Sequence, residues 1–155
     1  MKKWIVLAAV ALSGCAQINS YSDAVKTPAP AALQGNWQTV GPQSKLISGQ
    51  ALGSLIITAD GDTLDCRQWQ RVIAKPGKLT RLSDNWVNVN RQSRVMPLVL
   101  ENGELQYDGL RLRKVEQPTV ECQQALEEVA QRPDEAVIQD IEPELMKPVA
   151  AHTAQ

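Results

Sequence analysis

The stretch VMPLVLENGELQYDGLRLRKV, residues 95–115, decides the fold. Asn102–Gly103 and Asp108–Gly109 interrupt it, and both dipeptides favour the positive φ angles that a type I′ hairpin requires at its two central positions. On either side of these dipeptides apolar and polar residues alternate, with Leu105 and Tyr107 on one face of the second segment. Alternation with a period of two is typical of strands that bury one face. The stretch therefore predicts two consecutive antiparallel hairpins.

The same signals recur upstream of this stretch. Asp60–Gly61 separates the apolar run 55–58 from residues 63–69, and apolar and polar residues alternate again around Val87. Gly35-Asn36-Trp37 resembles the opening strand of small lipocalin-like barrels, although a Trp that plugs the end of any β-core gives the same pattern. The sequence thus predicts a mainly β domain over 35–130, either a small antiparallel meander or a partly closed lipocalin-like barrel.

After Pro118 the periodicity becomes helical. Cys122, Ala125, Leu126 and Val129 are spaced so that all four share one helix face. Cys66 lies on a predicted strand, and disulfides persist in an oxidising compartment. We therefore expect a Cys66–Cys122 disulfide that staples a single C-terminal helix to the sheet. A redox or metal-binding cysteine pair is the alternative, but the Cys-x-x-Cys spacing typical of such pairs is missing.

The N-terminus predicts an exported protein. Two lysines precede an apolar run over 4–12 that is too short to span a bilayer, as in a signal peptide. The run ends in Leu12-Ser13-Gly14-Cys15, which resembles the bacterial lipobox and predicts a lipid on Cys15. An ordinary secretory cleavage site, with Cys15 unmodified, is the alternative. Ala16 stands where Asp would favour retention in the inner membrane, so the resemblance implies lipid anchoring at the periplasmic face of the outer membrane.

Composition divides the rest of the chain. Residues 1–14 are the predicted signal peptide, and 15–34 are polar, small and punctuated by proline, which predicts a flexible tether after the lipidated Cys15. Residues 131–155 contain three prolines and five acidic residues, which predicts a disordered tail.

The sequence offers no pattern typical of catalysis. The net charge is -1, and His152, the single histidine, lies in the tail, so a multi-histidine metal centre is excluded. Asp60, Asp62 and Asp65 form the one acidic cluster, but they lack the EF-hand spacing and are better explained by a turn. We expect no enzyme, cofactor or metal site, and the predicted compartment excludes nucleic acid as a partner.

Basic residues concentrate between Arg67 and Arg94, where seven lysines and arginines stand against one acid. Arg67, Trp69 and Arg71 share the parity opposite to that of Cys66, so on a strand they project from one face. If Cys66 faces the core, these three side chains face water and could bind an anionic partner. An ordinary solvated sheet face, on which arginines cover a Trp, is the alternative.

These residues resemble those of the YedD-like family of enterobacterial lipoproteins. The resemblance extends from the lipobox to about Val129. It is carried by residues 25–30 (VKTPAP), Gly35-x-Trp37, 53–56 (GSLI), 61–71 (GDTLDCRQWQR), 76–79 (PGKL), 107–109 (YDG) and Pro118-Thr119-x-Glu121-Cys122.

The resemblance implies a location in the envelope but no mechanism. Two functions follow as hypotheses. In the first, the domain is a membrane-anchored, non-catalytic interaction module that regulates an envelope protein, such as a cell-wall enzyme or an outer-membrane assembly factor. In the second, a lipocalin-like barrel binds or senses a lipid or anionic envelope ligand. The first is favoured because a domain of this size leaves little room for a cavity.

Overall fold

The computed structural model describes residues 17–132 and 137–140. Nine strands and one α-helix form in this part of the chain. The strands are β1 Gly35–Thr39, β2 Leu52–Ile57, β3 Asp62–Trp69, β4 Arg71–Leu82, β5 Asn85–Asn90, β6 Val95–Glu101, β7 Glu104–Tyr107, β8 Leu110–Val115 and β9 Val137–Asp140. The helix α1 spans Val120–Gln131. No helix among the described residues is long and apolar enough to cross a membrane.

Strands β1 to β8 form a closed antiparallel barrel. Each strand pairs with the next along the chain, and β8 returns to pair with β1, with Trp37 opposite Lys114. The mainly β prediction is confirmed, and of the two architectures left open by the sequence the structure adopts the barrel, with full closure. Closure satisfies the edges that an open meander would leave unpaired.

The Gly-containing dipeptides adopt turn conformations between the strands. Asn102–Gly103 and Asp108–Gly109 have positive φ at both positions, as a type I′ turn requires. At Asp60–Gly61 only Gly61 has positive φ, and its N–H donates to the Thr58 carbonyl at 3.1 Å. A Cβ on Gly61 would lie 2.1 Å from the Thr27 carbonyl oxygen. Glycine at this position therefore lets the segment before β1 pass close to the turn.

The helix packs on the outer wall of the barrel. Cys66 and Cys122 form the predicted disulfide, with their Cα atoms 6.1 Å apart. They belong to a buried cluster between α1 and the outer faces of β2, β3 and β4, against which Leu126 and Val129 also pack. The Thr119 hydroxyl accepts a hydrogen bond from the Cys122 N–H and caps the helix. The predicted C-terminal helix and its disulfide are therefore confirmed.

The segment predicted as a tether is packed rather than free. Residues 18–34, which we call the N-terminal strap, run along the outer faces of β4 and β5, where Ala24 is buried against Val87 and Val89. The strap then closes one end of the barrel with Ala29 and Leu33. The prediction of a flexible tether over 15–34 is therefore wrong for the strap, because its few apolar side chains are spaced to cover a wall that would otherwise be exposed. Cys15 lies outside the described residues.

The predicted disordered tail also contributes structure. β9 pairs with the first four residues of β4, with Arg71 opposite Asp140 and Ala74 opposite Val137. β5 reaches only Gly77 on β4, so the edge of β4 before that residue is open to another strand. The prediction of disorder over 131–155 is wrong for β9, and the other residues after 132 lie outside the described part of the chain.

Candidate functional site

The two ends of the barrel differ. The far end is plugged by the strap and by Trp37, whose indole N–H donates to the Leu33 carbonyl at 2.9 Å. We call the other end the mouth; there lie the β1–β2, β3–β4, β5–β6 and β7–β8 connections. Between the ends the interior is filled by a single cluster of buried apolar residues: Ala29, Leu33, Trp37, Leu55, Ile57, Leu79, Met96, Leu98, Leu105, Tyr107, Leu110 and Leu112. Any site must therefore lie at the mouth or on the outer wall.

A chain of buried hydrogen bonds leads from the interior toward the mouth. The Thr63 hydroxyl donates to Asn88 Oδ1 at 2.6 Å, and Asn88 Nδ2 donates to Tyr107 Oη at 2.9 Å. Tyr107 Oη in turn donates to Asp65 Oδ2 at 2.7 Å. The four residues are at most 6% exposed, and each buried polar side chain has a hydrogen-bond partner inside the barrel.

Charged side chains continue the network to the mouth. Arg67 Nε and Nη2 donate to the two carboxylate oxygens of Asp65 at 2.7 and 3.1 Å. Arg67 Nη2 also donates to Asp108, which accepts a second hydrogen bond from Arg94 at 3.0 Å. Two acids and two arginines therefore neutralise one another.

The network fixes the protonation of its members. Burial, followed by the negative charge of Asp65, raises the pKa of the Tyr107 hydroxyl. Burial alone lowers the pKa of the Arg67 guanidinium, but the charge and hydrogen bonds of Asp65 raise it overall. Tyr107 thus remains a neutral donor and Arg67 a cation, which is the combination that a buried Asp65 carboxylate needs.

The face of β3 that carries Arg67, the first of the predicted trio, looks into the barrel rather than onto open solvent. Arg67 is the Cα partner of Gly53, two residues from Leu55 of the barrel core, and its parity points it into the barrel. Cys66 points outward and is buried because α1 covers it. The inference that Arg67 faces water because Cys66 faces the core is therefore wrong: Cys66 is buried on the outer wall under α1, and the Arg67 side chain, 31% exposed, lies on the barrel side of β3.

Trp69 and Arg71 lie where the trio leaves the barrel. They flank Gln70, which has a positive φ of 57° at the tip of the β3–β4 hairpin. Arg71 is exposed and Trp69 is half-buried. The structure therefore divides the trio into a structural arginine and two residues at the mouth.

A cavity of about 550 Å³ opens beside this hairpin. Its lining includes Lys45 from the β1–β2 loop together with Arg67 and Arg71, and it contains no acidic side chain. The other lining residues are Leu46, Ile47, Ala51, Leu52, Gln68, Trp69, Gln70 and Ile73. We call the four residues Lys45, Ile47, Trp69 and Arg71 the rim. It combines two cations with apolar surface, which suits an amphiphilic anion.

The acidic cluster is dispersed by the fold. Asp62 pairs with Lys26 at 3.3 Å on the surface, whereas Asp65 is buried in the network. The described residues contain no group of three or more side chains placed to hold a metal ion. Sequence reasoning assigned Asp65 to turn chemistry and overlooked Tyr107 and Asn88. The available signal was the shared parity of Thr63, Asp65 and Arg67 on β3.

A closed up-and-down barrel of eight strands, with a plugged end, an open mouth and one helix on its wall, defines the lipocalin-like class of small β-barrels. Comparison with known proteins then gives the family. The model of the family described as "bacterial lipocalin LPS transport optimiser YedD" matches residues 18–126, so the chain belongs to the YedD family.

Relatives and a solved structure agree with this assignment. The chain is 53% identical to the lipoprotein YedD of Salmonella typhimurium over 128 residues, covering 82% of this chain and 91% of the relative. It is 50% identical to the lipoprotein YedD of Escherichia coli over 128 residues, covering 82% of this chain and 93% of that one. The crystal structure of a lipoprotein YedD from Klebsiella pneumoniae superposes with a TM-score of 0.70 at 47% identity, covering 72% of this chain and 96% of that chain.

Proposed function

We propose that this chain is a lipoprotein anchored through Cys15 at the periplasmic face of the outer membrane, where it assists lipopolysaccharide (LPS) transport as a non-catalytic interaction module. The lipobox supports the anchor, and the relatives are named lipoproteins. The description of the family as an LPS transport optimiser supports the process. The partner we propose is a protein of the transport machinery.

The filled interior of the barrel favours an interaction module over a lipid carrier. Leu55, Leu105 and Tyr107 are at most 2% exposed and belong to one buried cluster, and the hydrogen-bond network continues from Tyr107 to Asp65. A barrel of eight strands is either filled by its own side chains or left hollow to hold one small ligand, and a lipid carrier needs the hollow form. The apolar cluster fills the part of the barrel that the acyl chains of LPS would occupy, so we place the contact with the partner protein on the outer surface.

One part of the outer wall is left uncovered among the described residues. The helix covers the outer faces of β2, β3 and β4, and the strap covers β4 and β5. On β6, Pro97 and Val99 are exposed, with Val99 49% exposed, and they border a cleft of about 510 Å³ that extends to Gln106 and Arg111. This β6–β8 face is where we place the protein partner.

Site-specific crosslinking tests the proposal. A photoreactive amino acid at Val99 should give an adduct with a protein of the LPS transport machinery in living cells. The same amino acid at Val120, which is 65% exposed at the start of the helix, serves as the control because it lies on a different wall. Equal adducts at both positions, or adducts with lipid alone, would contradict a protein partner on the β6–β8 face.

A genetic experiment links the contact to the process. Cells that lack the protein should admit large antibiotics that an intact LPS layer excludes. V99E should fail to restore the barrier while V120E restores it, with both proteins folded and equally abundant. Full restoration by V99E would remove the β6–β8 face from the proposed function.

A further inference from the structure

The strap begins at the mouth of the barrel. The Tyr21 N–H donates to Ser93 Oγ in the β5–β6 turn at 3.0 Å. The Tyr21 ring is held between two cations, with Lys78 Nζ 4.0 Å and the Arg91 guanidinium 4.9 Å from its centre. This contact fixes the end of the barrel from which the chain continues back toward Cys15.

The distance from this point to the proposed lipid is short. Cys15 precedes Tyr21 by six residues, which span at most about 21 Å even when fully extended. A membrane that holds a lipid on Cys15 must therefore lie within about 20 Å of the β5–β6 turn. The far end of the barrel has no comparable restraint, because the strap reaches it only at Ala29 and Leu33.

The β3–β4 hairpin projects from the same end. The last residue of β5, Asn90, pairs with Gly77 on β4, and Arg71 lies six residues beyond Gly77 on that strand. At about 3.3 Å per residue the hairpin extends roughly 20 Å past the end of β5. Its tip therefore lies at the same end of the barrel as the chain that leads back to Cys15.

The rim has the composition of a surface that contacts lipid headgroups. Ile47 is 79% exposed, and Trp69 is half-buried in the lining of the same cavity. Lys45 and Arg71, in the same lining, are exposed. Tryptophan favours the membrane interface, and lysine and arginine are attracted to anionic lipid surfaces.

We propose, given the lipid at Cys15 in the proposed function, that the rim docks on the anchoring membrane. Lys45 and Arg71 bind the phosphate groups of anionic phospholipids, and Trp69 and Ile47 enter the interface. The barrel thus stands with its mouth toward the lipid. The β6–β8 face and the far end remain free for proteins of the periplasm.

Native tryptophans test this orientation. The mature chain contains Trp37, which is 2% exposed, Trp69 at the rim and Trp86 in the β4–β5 hairpin at the far end. The lipidated protein is placed in vesicles of phosphatidylcholine and phosphatidylglycerol that contain lipids with brominated acyl chains, which quench indoles in contact with them. In a W86F variant the emission of Trp69 should be quenched several-fold more than that of Trp86 in a W69F variant.

Charge reversal tests the chemistry. K45E/R71E should abolish most of the quenching of Trp69, and raised salt should do the same, since exposed charges are screened. K26E/R81E is the matched control: it makes the same change in net charge, but Lys26 pairs with Asp62 at the start of β3 and Arg81 lies beside Trp86 in the β4–β5 hairpin, so neither residue belongs to the rim. This control should leave the quenching unchanged. Because Asp140 is the backbone partner of Arg71, Lys45 is included so that the reversal does not depend on one side chain.

The outcomes separate the docking from the anchor. Flotation with the vesicles reports the lipid on Cys15, whatever the orientation of the barrel. Protein that floats with Trp69 and Trp86 equally quenched, or with Trp86 quenched more, overturns the docking while the anchor stands. Equal quenching of Trp69 in pure phosphatidylcholine, unaffected by K45E/R71E, overturns the recognition of anionic headgroups.

Discussion

Tyr107 donates a 2.7 Å hydrogen bond to Asp65, which lies 42 residues earlier in the sequence and directly across the barrel interior. Asp65 thereby keeps its carboxylate inside the barrel beside Arg67, and Asn88 satisfies the Tyr107 oxygen from the other side. This one contact joins the apolar core to the charged network at the mouth.

Replacing Tyr107 by Phe should destabilise the fold. The change removes one hydrogen-bond partner from Asn88 Nδ2 and one from Asp65 Oδ2, and a buried polar group left unpaired costs roughly 1–3 kcal/mol. Urea denaturation of Y107F should show the loss, whereas Y21F, which keeps the Tyr21 ring between its two cations, should lose less. Equal midpoints for Y107F and wild type would show that the network contributes nothing to stability.

The raised pKa of Tyr107 predicts how stability depends on pH. In the unfolded chain a tyrosine ionises near pH 10, whereas folding holds this hydroxyl neutral to higher pH. The raised pKa of Tyr107 therefore contributes fully to the free energy of unfolding below about pH 10, and this contribution is lost as the pH rises above that value.

Absorbance of tyrosinate measures this effect directly. The chain has two tyrosines, so Y21F leaves Tyr107 as the single reporter. Folded Y21F should show no ionisation near pH 10, and in denaturant the same protein should ionise there. Ionisation of folded Y21F near pH 10 would contradict the burial of Tyr107 against Asp65.

The local signals of the sequence predicted most of the barrel. Asn102–Gly103, Asp108–Gly109 and the alternating flanks reported turns and strands correctly, since both depend on neighbouring residues. Closure depends on the pairing of β1 with β8, and no local pattern encodes a contact between strands that distant. Pro76–Gly77 illustrates the same limit: the pair is typical of a turn, yet it lies within β4. A Cβ at Gly77 would lie 2.7 Å from polar atoms of Asn88 and Thr63, so Gly admits the network there.

The candidate site was predicted in part. Parity grouped Arg67 with Trp69 on one face of β3, whereas Arg71 begins β4 and shares that face as the cross-strand partner of Trp69. Parity also could not identify the other face of β3 as the one covered by a helix. Lys45 and Ile47 of the rim lie in the long β1–β2 loop. Tertiary contacts, and not sequence periodicity, determine where the residues of such a loop lie. Lys45, for instance, packs closely on Gly109, where an added Cβ would lie 2.9 Å from the Lys45 Cγ.

Arg67 and Arg71 should respond differently to the same substitution. R67E removes the ion pairs of Arg67 with Asp65 and Asp108 and places a third carboxylate beside them. Removing one partner of a largely buried ion pair lowers the free energy of unfolding by roughly 3 kcal/mol. R71E changes an exposed residue and should alter thermal stability little. Thermal melts of the two variants, followed by circular dichroism, make the comparison. A stable R67E protein would mean that the arginine is a surface group after all.

Loss of the disulfide should destabilise the domain without abolishing the barrel. Cys66 and Cys122 close a loop of 57 residues, for which the chain-entropy estimate is about 4 kcal/mol. C66A/C122A should therefore melt at a lower temperature, with the β-sheet signal retained below the transition. Alkylation of the mature wild-type protein without reductant should label neither cysteine. Equal melting of the variant and wild type would argue against a structural role for the bond.

The anchor at Cys15 should determine whether the protein stays with the membrane. A diacylglyceryl thioether together with an N-acyl chain exceeds the two signals that stable attachment needs. C15A should therefore move the protein into the soluble fraction, and mass spectrometry of the mature wild-type N-terminus should find the lipid on Cys15. The Cys66–Cys122 bond should form in both proteins, because neither cysteine depends on the anchor. If the mature protein carries an unmodified Cys15, or C15A remains membrane-bound, the anchor is wrong and the rim loses its reason to face the lipid.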